Sequence, residues 1–114
     1  MEITKATGAL GALAQETRLR IYRALVQRGP DGLPAGRIAT LLDLPGPTLS
    51  FHLARLERAG LVRYRREGRS LIYAADYGAI EGLVAYLTEN CCGRGQACAP
   101  GARSTSRGNG TLNP

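Results

Sequence analysis

The residues best suited to chemistry in this sequence are three cysteines that lie within eight positions of one another, Cys91, Cys92 and Cys98. Thiolates are soft ligands, which select soft or thiophilic centres. Three sulfurs fit trivalent arsenic or antimony, which bind three thiolates in a pyramid, whereas zinc usually takes four ligands in a tetrahedron. The spacing therefore predicts a site for As(III) or Sb(III) formed by these three thiols.

Other uses of the thiols stay open. Two sulfurs would hold a methylated trivalent arsenical, and a soft cation such as cadmium or lead would also accept thiolates. A disulfide between Cys91 and Cys92 is disfavoured because consecutive Cα atoms lie about 3.8 Å apart, closer than the usual 4.4 to 6.8 Å. A bridge from Cys98 to either neighbour, and hence a response to thiol oxidation, remains an alternative, as does the absence of any role.

The sequence gives no indication of an enzyme. A thiol phosphatase or arsenate reductase of the phosphate-loop kind needs a cysteine followed by five residues and an arginine, so that backbone amides cradle the oxyanion. Arg103 follows Cys98 with only four residues between them. We therefore expect a binding protein without catalytic activity.

Length and charge favour a single small domain with an anionic partner. The 114 residues carry a net charge of +6, and nucleic acid is the commonest partner of a small basic protein. No apolar run approaches the roughly 20 residues that span a bilayer, and the first residues do not resemble a secretion signal. We expect a cytoplasmic protein that does not engage a membrane.

The elements that would position these groups follow the order of a winged helix-turn-helix. Two helices precede a short helix that begins near Pro34 and buries Ile38, Leu41 and Leu42. A turn over residues 43–47, rich in proline and glycine, leads to a helix over residues 48–59, followed by a two-stranded hairpin. The predicted fold is mainly α with a small β-hairpin. Leucines 49, 53 and 56 of the second helix are expected to face inward.

The second helix and the hairpin carry the side chains suited to DNA. Between positions 48 and 75 the sequence has six arginines and only two acidic residues. Short polar side chains and one arginine at the helix are predicted to reach base edges or phosphates, namely Thr48, Ser50, His52 and Arg55. Phe51 is either a contact on a base methyl group or a core residue. His52, the only histidine, is either a DNA contact or a partly buried residue that ties the helix to the domain.

The last predicted helix carries an apolar stripe for a second subunit. Asp76 is placed to cap it, and the stripe consists of Ile80, Leu83, Val84 and Leu87. Because the other apolar faces are already assigned to the core, a helix of a partner subunit is expected to cover this one. We predict a homodimer, with a folded domain over residues 1–92 and a cysteine-containing loop with a disordered tail over residues 93–114.

The segments ALAQETRLRIYRAL and LSFHLARLERAGLVRYRREGRSLIYA resemble the ArsR/SmtB family of metal-responsive repressors, over roughly residues 8–92. The resemblance implies that residues 49–59 form the recognition helix, that Arg66, Gly68 and Arg69 lie at the wing, and that the first and last helices form the dimer. Many arsenic sensors of this family carry cysteines in the helix before the recognition helix, where the present stretch IATLLDLP has none. YLTENCC instead resembles a subgroup whose metalloid site lies at the end of the last helix. The resemblance implies a repressor that leaves operator DNA when As(III) or Sb(III) binds.

Overall fold

Five helices and three short strands make up residues 1–90, the part of the chain that the computed structural model describes. The helices are α1 (Ile3–Leu13), α2 (Glu16–Arg28), α3 (Ala35–Leu42), α4 (Gly46–Arg58) and α5 (Tyr77–Leu87), and the strands are β1 (Leu33–Pro34), β2 (Val62–Glu67) and β3 (Ser70–Ala75). Residues 1–83 form one compact unit. Of the second unit, which begins at Val84, the structure describes the end of α5 and residues 88–90.

Leucines of α4 and branched side chains of α2 and α3 build the core. Leu53 and Leu56 of α4 are at most 1% exposed, and Ile21 of α2 and Ile38 of α3 are fully buried. Full burial of such a side chain contributes about 1.5 to 3 kcal/mol. Helix α4 packs against α1, α2 and α3, so its inner face is covered by three other helices. The predicted inward orientation of the α4 leucines is confirmed.

Helix α1 contributes a face of small side chains. Its buried residues, Ala6, Ala9 and Ala12, recur every third position and therefore share one side of the helix. Alanine adds little bulk between two helix backbones, which allows close packing. This face brings the carboxyl end of α1 close to α2 and α4, both of which α1 contacts.

The sheet has three antiparallel strands in the order β1-β3-β2, one more than the sequence predicted. The predicted hairpin is present, with Glu67 paired to Ser70 across a two-residue loop. The additional strand is Leu33–Pro34, which pairs with Tyr73 and Ile72. Two residues are too few to show an alternating pattern, and Pro34 is tolerated because β1 lies at the edge of the sheet.

Two details of the helix-turn-helix differ from the prediction. Helix α4 begins at Gly46 rather than at Thr48, because Pro47 lies in the first turn, where its missing N–H is not needed. Leu41 of α3 is 63% exposed, so its predicted burial is wrong, whereas Ile38 is buried as expected. Helix α3 is only eight residues long, and Ile38 is its one buried residue.

The beginning of α5 agrees with the prediction, and its apolar stripe divides into two parts. A carboxylate oxygen of Asp76 accepts a hydrogen bond from the Ala79 N–H at 3.2 Å, which confirms the predicted cap. Leu83 is 2% exposed and is therefore already covered within the single chain. Val84 and Leu87 are 53% and 58% exposed. Ile80 is half-buried, so Val84 and Leu87 are the stripe residues that the single chain leaves most exposed.

Residues 91–114 lie outside the described part of the chain, and with them Cys91, Cys92 and Cys98. The predicted metalloid site and the predicted tail over residues 93–114 therefore stay predictions. Within residues 1–90, every helix is too short or too polar to cross a membrane.

Candidate DNA-binding surface

The outer face of α4 carries four of the residues predicted to meet DNA. Thr48, Ser50, Phe51 and Arg55 are all exposed, on the side of the helix opposite the buried leucines. Phe51 is 56% exposed and is therefore not a core residue, while its contact with a base methyl group stays a prediction. The face offers two hydroxyl groups, one aromatic ring and one guanidinium group.

Phe51 and Arg55 form a pair one turn apart on this face. The Arg55 Cζ atom lies 5.8 Å from the centroid of the Phe51 ring, within the range of a cation–π contact. The contact orders two long side chains without burying either one. An arginine in this position can donate two hydrogen bonds to a guanine edge, and a neighbouring aromatic ring can contact a thymine methyl group.

His52 lies beside Phe51 in sequence but on the inner side of α4. Its side chain is 8% exposed, and its Nδ1 atom lies 3.3 Å from the Nη1 atom of Arg18. Burial, together with the nearby positive charges of Arg18 and Arg55, lowers the pKa of His52. This geometry agrees with the second predicted role, a residue that ties the helix to the domain.

The hairpin of β2 and β3 presents basic side chains to solvent. Val62 is the only buried residue of β2, and all the arginines from Arg63 to Arg69 are exposed. Gly68 opens the two-residue loop with a φ of +63°, a conformation for which such loops favour glycine. The loop places Arg69 at the tip of the hairpin.

The arginines of the hairpin differ in their contacts. Arg65 donates to a carboxylate oxygen of Glu67 at 2.7 Å and to the backbone oxygen of Asp31 at 3.1 Å, so its charge is partly used within the protein. Within residues 1–90, neither Arg66 nor Arg69 takes part in an ion pair. Like Arg63, which also lies outside both ion pairs, these two side chains keep their charge available for a phosphate backbone.

Arg18 is the residue of this region that the sequence reasoning missed. It is 7% exposed and holds His52 from α2. The sequence position of Arg18 could have indicated that it is buried. Ile21 and Tyr22, both buried, follow it by three and four residues and therefore share its face of the helix. An arginine on an apolar face is unusual unless it has a specific partner.

The described residues hold no separate metal site. Among residues 1–90, no group of three or more histidine, cysteine, aspartate or glutamate side chains is arranged to hold a metal ion. Cys91 follows the last residue of α5 by four positions in the sequence.

A short helix, a turn, an exposed second helix and a basic hairpin together define a winged helix-turn-helix DNA-binding protein. A family model described as a helix-turn-helix domain matches residues 13–65. The transcriptional activator HlyU of Vibrio cholerae is 33% identical over 88 residues, which are 77% of this chain and 79% of HlyU. A protein of Halobacterium salinarum, provisionally named as the arsenical resistance operon repressor ArsR, is 40% identical over 62 residues, covering 54% of this chain and 47% of that protein.

Solved structures agree with the assignment as a winged helix-turn-helix protein. An ArsR-like transcriptional regulator from Rhodococcus sp. RHA1 superposes with a TM-score of 0.66 at 27% identity, over 74% of this chain and 76% of that one. A homodimeric winged helix-turn-helix DNA-binding domain from Mycobacterium bovis gives a TM-score of 0.63 at 27% identity, over 75% of this chain and 77% of that one. The chain belongs to the ArsR/SmtB family of transcriptional regulators, which confirms the resemblance seen in the sequence.

Proposed function

We propose that this protein is a homodimeric, cytoplasmic repressor without catalytic activity, which leaves its operator DNA when trivalent arsenic or antimony binds to Cys91, Cys92 and Cys98. The observation that carries the DNA-binding part is the exposed face of α4, where Thr48, Ser50 and the Phe51–Arg55 pair stand free of the core. Arg66 and Arg69 on the hairpin supply charge for the flanking phosphates.

The position of the cysteines supports the metalloid part. Cys91 and Cys92 lie four and five positions after the end of α5 in the sequence, and α5 carries the exposed side chains Val84 and Leu87 that suit a subunit interface. A metalloid bound next to the interface would change how the two subunits sit, and with it the spacing of the two α4 helices. Each thiol would give its proton to a hydroxyl group of arsenous acid, which leaves as water, so that one As–O bond breaks for each As–S bond that forms. The provisional name of the Halobacterium salinarum relative agrees with this effector class.

The coupling between metalloid and DNA has a thermodynamic consequence. If the metalloid weakens DNA binding, DNA must weaken metalloid binding by the same factor, typically about 5-fold to 150-fold. A metalloid affinity that is identical with and without DNA would contradict this mechanism, whatever the fold.

The test uses the full chain and a DNA duplex that the protein itself selects from a random-sequence pool, called here the selected duplex. Binding is followed by fluorescence anisotropy while arsenite, antimonite, a methylated trivalent arsenical, cadmium, zinc or hydrogen peroxide is added. We expect arsenite and antimonite to release the wild-type protein. Cys91→Ser and Cys92→Ser should abolish release while leaving the affinity without effector unchanged.

The remaining variants and effectors separate the alternatives. If Cys98→Ser loses the response to arsenite but keeps the response to the methylated arsenical, Cys98 is the third ligand of the inorganic metalloid. Release by cadmium alone or by peroxide alone would replace the proposed effector with a soft cation or with thiol oxidation. Failure to select any duplex would overturn the DNA-binding part.

A further inference from the structure

Arg18 places a positive charge in the core, and no carboxylate of residues 1–90 forms an ion pair with it. The side chain is 7% exposed, and the ion pairs within residues 1–90 are Glu16–Arg20 and Glu67–Arg65. A buried charge is costly unless polar groups replace the water that it loses. The contacts of Arg18 therefore indicate what holds it there.

One contact is with the carboxyl end of α1. The Arg18 Nε atom donates to the Ala12 carbonyl oxygen at 2.7 Å, and α1 ends at Leu13. The last four carbonyl groups of a helix lack partners within the helix, and the helix dipole places partial negative charge at that end. The last turn of α1 contains no basic residue of its own. Arg18 thus supplies both a hydrogen bond and a compensating charge.

The other contact is with His52 in the middle of α4. Because a guanidinium group can only donate, the Nη1 to Nδ1 contact of 3.3 Å needs an Nδ1 atom that carries no proton. His52 must then be neutral, with its proton on Nε2. The charged groups that act on it are Arg18 from α2 and Arg55 from its own helix, and Arg18 also bonds to the carboxyl end of α1. Burial and these two charges all lower the pKa of His52, which favours the neutral form.

The contact between Arg18 and His52 holds a part of α4 that lies next to the outer face of this helix. The His52 ring packs edge-on against the Phe51 ring, with the centroids 5.4 Å apart and the planes at 66°. Phe51 in turn contacts Arg55. Any rotation of α4 that broke the contact of His52 with Arg18 would therefore move the residues proposed to meet DNA.

We propose that Arg18 and His52 are positioning residues that fix α4 against the carboxyl end of α1, so that DNA binding requires a neutral His52. The inference rests on the proposed function in one respect, since it takes α4 as the helix that reads DNA. It adds that acid weakens DNA binding, because protonation of His52 removes the acceptor of Arg18 and places two positive charges side by side.

The direction of the pH effect separates this role from direct DNA contact. A histidine that touches a phosphate gains affinity when it becomes charged. A histidine that holds α4 through its neutral form loses affinity when it becomes charged. The ordinary histidine pKa is 6.5, and the pKa of His52 lies below it, so the decline should begin below pH 6.5.

The test measures affinity for the selected duplex at constant ionic strength from about pH 7.5 to pH 5.5, where histidine is the side chain that titrates. We expect wild-type affinity to fall as the pH decreases. His52→Asn keeps an acceptor near the Nδ1 position but cannot titrate, so it should bind nearly as well as wild type at pH 7.5 and show a flatter profile. His52→Leu removes the acceptor and should lose about tenfold or more, in line with the usual worth of a hydrogen bond to a charged group.

Nuclear magnetic resonance tests the pair without DNA. Because the chain has one histidine, its imidazole signals report on His52 alone. The wild-type ring should titrate below pH 6.5, and Arg18→Gln should raise its pKa, with thermal melting used to verify that the variant is folded. A pKa that Arg18→Gln leaves unchanged, or a wild-type affinity that rises in acid, would overturn the inference. Failure to select a duplex would instead overturn the proposed function, and the titration would still decide whether the pair exists.

Discussion

At the scale of single residues, Gly32 occupies a backbone position that excludes a side chain. Its φ is +76°, and a Cβ built there would collide with the Tyr73 carbonyl oxygen and approach Ile72 Cγ2 to 3.1 Å. The left-handed backbone alone costs a residue with a side chain about 1 to 2 kcal/mol. We expect Gly32→Ala to reduce the free energy of unfolding by about 2 kcal/mol or more, as measured by urea denaturation.

Gly36→Ala is the matched control for this prediction. Gly36 lies in α3, and a Cβ there meets nothing within 4 Å. Alanine favours an exposed helical position over glycine by about 0.5 to 1 kcal/mol, so this variant should be slightly more stable than wild type. Equal unfolding midpoints for the two variants would show that the close approach of Gly32 to β3 is not what selects glycine at this position.

At the scale of elements, the proposed function assigns phosphate binding to the hairpin and base recognition to α4. Each phosphate that a protein neutralises makes the dependence of affinity on salt steeper by about 0.9 in the logarithmic plot. Arg66 and Arg69 are exposed and take no part in an ion pair within residues 1–90. Arg66→Gln and Arg69→Gln should each weaken binding to selected and unrelated duplexes alike and reduce the salt slope by about 1.

Arg20→Gln removes the same charge from a different element. Arg20 lies on α2 and pairs with Glu16 at 2.6 Å, so its charge is already compensated locally. Its loss should leave the salt slope unchanged, as measured by anisotropy over a range of salt concentrations. If Arg20→Gln lowered the slope as much as Arg66→Gln did, the effect would reflect net charge rather than contacts of the hairpin.

At the scale of the whole molecule, the exposed apolar side chains of α5 predict a second subunit. Val84 and Leu87 are more than half exposed in the single chain. A charge placed in an apolar interface is costly to desolvate, while the same charge at an exposed position of a monomer costs little. We expect Leu87→Glu to shift the protein from dimer to monomer in sedimentation equilibrium and to lower affinity for a two-site duplex.

Leu41→Glu provides the comparison for that experiment. Leu41 is 63% exposed on α3, so both variants place a glutamate on an exposed leucine position. We expect Leu41→Glu to remain dimeric. A monomer produced by both substitutions, or by neither, would remove α5 from the proposed interface.

The sequence by itself determined the five helices and the hairpin of this protein, because their patterns are local. The leucines of α4 recur with the helical period, Gly60 with a φ of +81° follows its end, and Asp76 caps α5. Each of these features depends on neighbours within a few residues along the chain. The family could be identified from the same local patterns.

The tertiary structure decided what depends on residues far apart in the chain. Position 52 had two predicted roles, and only the approach of Arg18, 34 residues away, selected the buried one. Leu41 looked like a core residue because its type is apolar, but exposure depends on what packs against α3. The short strand β1 likewise exists only because β3 pairs with it. Local periodicity specifies which face of a helix is apolar, whereas burial and buried hydrogen bonds are set by partners that the fold brings together.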